Sequence, residues 1–586
     1  MRTCPFLLAA AALLPFAGTS FASDSAWNVN ASGNFTDAAN WTAGVPGLPA
    51  GNTTSTDVAT FNRSTINATT TVTVDAPYNI GGITFNNNGS VAGGVYTIFG
   101  NATNALTLSA NAVIQNIGSQ TGGSTLNATL VLSGNTTFSN TNGNGGGNLQ
   151  FGVNAGVRSM AASGGLGNVF LTFTGNNTSA NNLAYSTYNQ GAGTTLGIIK
   201  DGTGSWQLNN IGGNMTGGIL VKNGTLGFGQ SAAASLGTIT LGDGSSSGNI
   251  VIGAGSGVTI NNNINVASSS ATTVVLSRTG GSGAGSYAGN ITLSRDLVLR
   301  HGTNANQALA LTAASAVTGS GNLVVNTTVA GAVGAVNLQG SVNMTGQLIN
   351  QSSTGTGMVT VSGAIGANVT GVVQNSATSN MTLSNAANAY TGNTTITAGT
   401  LFLSGSGNLG DSNLVMNGGT LNVTGITGAG YTIASGKSVT GIGTIVTTGK
   451  DFTVNGTLAP GASPGTLNVT GNMTLGSTAI SNFEINGTTA GQFDLLAASG
   501  LLTLGGTLNL TTGYAAALND TVTLFTAGTF AGSFSSITGT DLGGGLLWDT
   551  SALSTTGAIT VVPEPATWAL VGLGLGATLF FRRRRV

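Results

Sequence analysis

Short runs of alternating apolar and polar residues, each cut off by Gly, Asn or Ser, recur along almost the whole of this chain. Examples are TVTVDA at 71–76, ITF at 83–85, LTLSA at 106–110, LVLSG at 130–134, TLFLSG at 400–405, TLNVTG at 420–425 and GTLNLTTG at 506–513. A two-residue period places one face of each run in a core, and no stretch of the body sustains the helical period instead. Two segments repeat one another closely: KDGTGSWQLNNIGGNMTGGILVKNGTLGFG from Lys200 and SATSNMTLSNAANAYTGNTTITAGTLFLSG from Ser376. Each reads as strand, Asn-rich turn, TG turn, strand, then Gly-Thr-Leu and a third strand. A strand this short cannot bury its apolar face alone, but rungs stacked about 4.8 Å apart form a continuous interior stripe and satisfy each other's backbone groups. The expected fold is all-β: a right-handed parallel β-helix with roughly 20 to 25 residues per rung. Glycine and asparagine suit its corners, and asparagines in register stack their amides. The competing arrangement, a string of antiparallel β-sandwiches, calls for polar or Pro-rich boundaries that this chain lacks.

An open terminal rung recruits other chains, so a solenoid needs closed ends. Trp27 and Trp41 stand close together in SAWNVNASGNFTDAANWTAGVPGLPAGN, which marks 23–62 as an N-terminal cap. The solenoid is expected over 63–455. A change of composition from LAPGASPGTLNVTGNMTL at 458–475 onward marks 456–560 as a distinct C-terminal β module.

Ahead of the cap, residues 1–22 combine Arg2, an apolar run over 5–16 and small residues at Ser20 and Ala22. This is the pattern of a secretory signal peptide cut by signal peptidase between Ala22 and Ser23; the alternative is a buried N-terminal helix. Cys4, the only cysteine, falls in the leader, so the mature chain has no disulfide and no thiolate. Its stability rests on packing and hydrogen bonds. Between Ser23 and Val562, four Lys and five Arg face thirteen Asp and one Glu, a net charge of −5. That balance offers no basic patch for nucleic acid.

The last segment, VVPEPATWALVGLGLGATLFFRRRRV at 561–586, has a different character. Residues 566–581 are uncharged and mostly apolar, about 24 Å long as a helix, slightly short of a bilayer's hydrocarbon core. Arg582, Arg583, Arg584 and Arg585 then act as a stop-transfer lock, holding the C-terminus in the cytoplasm while the body lies across the inner membrane. Pro563, Glu564 and Pro565 precede the helix; two prolines impose an extended backbone suited to a processing enzyme's groove. The motif, its order and its position resemble the PEP-CTERM sorting signal of bacteria. That resemblance implies recognition of Pro563, Glu564 and Pro565 by an exosortase, cleavage nearby, and release or transfer of the body, often in bacteria that make extracellular polysaccharide. The alternative is a permanent single-span anchor. In the body, Trp27 to Phe61, YTGNTTITAGTLFLSG at 390–405, and LAPGASPGTL followed by GQFDLLAASGLLTLGGTLNL are similar to autotransporter-associated β-strand repeat proteins, which implies a passenger-type β-helix. With only 26 residues after the body, no attached membrane barrel is expected.

Side chains for chemistry are scarce. His301 is the sole histidine, so a two-histidine metal site is impossible, and a Ser-His-Asp set would have to join it to Asp296. Polysaccharide enzymes on β-helices need facing carboxylates, whereas these aspartates are isolated and Glu484 is the only glutamate before the sorting segment. GYTIASGKS at 430–438 misses phosphate-loop spacing by one residue and reads as strand and turn. No catalytic, cofactor or metal site is expected. The expectation is an exported structural or adhesive protein of the cell surface or matrix, with extracellular polysaccharide a possible partner. The alternative is a polysaccharide-active enzyme or carbohydrate-binding protein, which would show aspartates and aromatics such as Trp206 or Tyr287 together on one outward face.

Overall fold

The computed structural model describes residues 24–564, apart from 50–54, 63–68, 88–94, 102, 119–122, 143–146, 154–158, 180, 210–214, 230–236, 281–282, 301–306 and 327–333, together with 573–578. The body is a parallel β-solenoid. Its rungs are clearest in the middle, where three short strands form each turn: Ile264–Val266, Val274–Arg278 and Gly285–Tyr287, then Ile291–Leu293, Leu297–Arg300 and Leu309–Leu311. Each strand lies parallel to its counterpart one turn later. Ile264 pairs with Ile291 and Ile291 with Val317, while Leu276 pairs with Leu299. On the third side a single inward column runs through Tyr287, Leu311, Leu338, Val361, Leu383 and Leu403. All six side chains are buried, so the period-two pattern becomes one continuous apolar core along the axis.

The two segments that repeat in sequence share a pairing, although they fall on different sides of the solenoid. In each, the first and third strands lie parallel one turn apart, Ser205–Leu208 with Gly224–Phe228 and Met381–Leu383 with Thr400–Gly405. The glycine of Gly-Thr-Leu turns a corner in both: Gly224 has φ +74° and Gly399 φ +66°, and a Cβ at either would strike a backbone carbonyl of the preceding turn. Neighbouring turns are also joined outside the core by amide ladders, with Asn209 donating to Asn182 over 3.0 Å and Asn509 to Asn482 over 2.9 Å.

The N-terminal end is closed by aromatic bulk, and its edge is covered. Trp27 and Trp41 meet edge to face at 5.2 Å, and Phe35 and Phe61 pack against Trp41. The chain then doubles back along its first strand, Ser25–Trp27. Asn28 N–H donates to Asn40 O, Thr42 N–H to Ala26 O, and Ala26 N–H to Thr42 Oγ1. This takes up edge groups that would otherwise be open to another strand. That first strand also pairs in parallel with Val58–Asn62, so the cap residues form a turn of the solenoid as well as its plug.

Parallel pairing runs on past residue 455. Ser438–Val454 pairs with Thr466–Leu475, which pairs with Leu495–Ala498 and Leu501–Leu504; the last parallel rung reaches Ser536–Thr538. Within this region the LAPGASPG loop and the QFD segment, far apart in sequence, meet. The buried Asp494 carboxylate accepts from Gly465 N–H at 2.9 Å and Glu484 N–H at 2.8 Å. Burial foremost, and then the charge of Glu484, push its pKa up.

Candidate functional site

The architecture changes at the C-terminal end of the rod. Thr521–Thr523, Ala558–Pro563, Leu546–Asp549 and Asp541–Gly543 form a four-stranded antiparallel sheet, in that spatial order. Ala558–Pro563 is central. Thr560 pairs with Thr521 on one side and Asp549 on the other; Val561 pairs with Trp548, Val562 with Leu547 and Pro563 with Leu546. The sequence AITVVP favours this role because Ile559 and Val561 alternate inward and both are buried. Proline is acceptable as the last strand residue, where one fewer ladder donor is needed. The hairpin supplying Leu546 turns through Gly543, Gly544 and Gly545, all with φ between +65° and +77°. Three successive residues at positive φ are reached at little cost only by glycine.

The sheet is fastened to the last solenoid turns. Trp548 is 1% exposed, and its Nε1 donates to Thr512 Oγ1 at 3.0 Å. Leu524 and Phe525 N–H both donate to Gly557 O. Asn519 N–H donates to Val561 O, and Val561 N–H to Asp520 O. At the far end of the central strand, Glu564 N–H donates to Gly545 O at 2.9 Å. Pro563 and Glu564, two of the three motif residues, therefore belong to the folded end cap.

A family model of the PEP-CTERM protein-sorting motif matches residues 561–585. The chain carries a PEP-CTERM sorting signal. A search of curated proteins returns no match to this chain. The PEP-CTERM motif implies processing by an exosortase, and proteins that carry it are exported proteins of the cell envelope. Pro565, Arg582, Arg583, Arg584 and Arg585 lie outside the described residues, as do Ala22 and Ser23 of the expected signal-peptide cut. Of the helix expected over 566–581, residues 573–578 are described, and they are helical. Among the described residues no helix is long and apolar enough to cross a membrane.

The residues offered for carbohydrate chemistry lie elsewhere and face inward. Trp206 is buried against Phe151 and Phe173, with Nε1 donating to Thr174 O. Tyr287 is also buried, its hydroxyl donating to Ser277 O at 2.7 Å and lying 3.1 Å from Ile252 O. Several aspartates are spent on backbone N–H groups. Asp75 receives Thr36 N–H, Asp296 receives Asn322 N–H, Asp243 receives Ser245 N–H, and Asp549 receives Ser551 N–H. Asp411 pairs with Lys437 at 2.9 Å. His301 lies outside the described residues. Among the described residues no group of three or more His, Cys, Asp or Glu could hold a metal ion.

One cleft of about 610 Å³ opens beside the cap, lined by 510–516 and 539–546 in part. Its only carboxylate, Asp541, is turned onto Gly543 N–H at 2.8 Å. Tyr514 in its wall donates to Asp520 at 3.0 Å; burial and then Asp520 hold its hydroxyl up at about 12. A facing acid and base, as glycoside hydrolysis needs, do not converge there.

Proposed function

We propose that this chain is an exosortase substrate whose β-solenoid body serves as a passive structural or adhesive rod at the cell surface or in the extracellular matrix. The observation that carries the reading is the sorting motif over 561–585, which begins within the strand that closes the rod. Interior positions for Trp206 and Tyr287, and aspartates such as Asp296 that accept backbone N–H groups, favour this role over a polysaccharide-active enzyme. The body's similarity to autotransporter-associated β-strand repeats, strongest around Tyr390, fits the same role. A signal peptide ending at Ala22 would deliver the chain to the membrane, and Arg582 to Arg585 would hold it there until cleavage.

The test is intact mass and fractionation of the native protein from its host, beside a variant with Pro563, Glu564 and Pro565 all changed to alanine. Wild type is expected to lose the arginine tail and leave the inner membrane while the variant keeps both. Retention of the tail and of inner-membrane residence by both proteins would refute sorting and leave a single-span, periplasm-facing rod.

A further inference from the structure

Resting on that sorting reading, we propose that the end cap gates the motif: Ala558–Pro563 stays with the body after processing, the cut falls on the C-terminal side of Glu564, and cleavage requires the last strand pair to open. Three observations carry this. Ala558–Pro563 is the middle strand of the cap, so its removal would leave Thr521–Thr523 and Leu546–Asp549 without the partner that joins them. Val561 is wholly buried beneath it and exchanges backbone hydrogen bonds with Asn519 and Asp520. The motif's own first two residues are held in the sheet, Pro563 opposite Leu546 and Glu564 N–H on Gly545 O.

Recognition by strand addition uses the backbone groups along one edge of an extended peptide, and along the Leu546 edge of Pro563 and Glu564 the cap has already paired them. Cap closure and enzyme binding thus compete for Pro563 and Glu564. Opening only the end of the strand releases them while Ile559 and Val561 stay buried, which is the low-cost local opening expected of a strand terminus. In the reaction itself a peptide C–N bond beyond Glu564 breaks. The acyl carbon passes to water or to an acceptor amine, and the departing nitrogen gains a proton.

The chain offers a clean test because its single cysteine, Cys4, lies in the leader. Leu547 and Val562 are directly opposed, and opposed antiparallel residues have Cα separations within disulfide range. With Leu547→Cys and Val562→Cys together, expressed in the native host with its oxidising envelope, the processed fraction should fall about tenfold or more and recover when reductant is added. Each single-cysteine variant, a control for the substitutions themselves, should be processed like wild type. Intact mass of the wild-type product should place its new C-terminus at Glu564 or beyond. A product ending before Glu564, or a cross-linked double variant processed at the wild-type rate, would overturn the gate. Wild type that is not cut at all would instead overturn the sorting reading beneath it.

Discussion

Lys200 lies wholly inside the solenoid, its Nζ donating to Asp201 O, Gly202 O and Asn223 O over 2.6 to 3.0 Å. Burial, only partly offset by the charge of Asp201, lowers its pKa from 10.5 to about 8. Between those two values the unfolded chain holds a proton that the folded chain has released, so stability contributed by this site rises with pH across the window. Compared with Lys200→Met, which does not titrate, wild type should gain stability from pH 8 toward pH 10.5, by up to about 1.4 kcal/mol per pH unit. Chemical denaturation of both proteins at several pH values measures this, and parallel pH profiles would refute it. In sequence, the period of LGIIK puts Lys200 on the face of Leu196 and Ile198, but nothing in it reveals that three carbonyls wait for the ammonium inside. Trp206 and Tyr287 were ambiguous for the same reason, since alternation tells which residues share a face but not which face is core. At the other end, Trp548→Ala removes both a buried indole and the bond to Thr512. It should cost about 3 to 5 kcal/mol of cap stability, read as early unfolding of the C-terminal region by hydrogen exchange.

At the scale of elements, the solenoid strands were legible and the antiparallel cap was not. TLFLSG and LTLSA announce themselves because alternation and a turn residue fall within six positions, and the same unit returns in register. The cap draws its four strands from 521–563 in an order unlike that of the chain, and AITVVP runs directly into the sorting motif, whose own pattern dominates any reading of the segment. The cap also explains why this end does not present a bare rung: Gly557 O receives two N–H groups from Leu524 and Phe525 while the sheet folds over the last turn. A chain truncated after Glu564 should match the full body in thermal stability and remain monodisperse. One truncated after Gly557 should lose the sheet, expose unpaired strand edges and associate. Light scattering and thermal melts of the two truncations, side by side, give the answer; equal behaviour would mean that the strand is dispensable.

For the molecule as a whole, stability is close to a sum over turns and their interfaces, because each turn touches chiefly the one before and the one after. This makes length a tolerant variable and register an intolerant one. Val372 pairs with Leu348 behind it and Thr394 ahead. Excising 372–393 joins Gly371 directly to Thr394, so that Thr394 takes the place of Val372, and Val361, which had paired with Leu383, now faces Leu403. Every inward residue still lies over an inward residue. Excising 372–382 removes only part of a turn, puts Leu383 in the place of Val372 in the middle of a different side, and leaves the column of Leu338 and Val361 without its continuation. The full-turn excision should therefore keep a cooperative β-sheet melt and shorten the particle by about 5 Å in small-angle scattering. The part-turn excision should lose cooperativity or fail to fold, although it removes half as many residues. If both fold equally well, the interior columns are not what sets the register. If neither folds, the turns are coupled over longer distances than nearest-neighbour stacking allows.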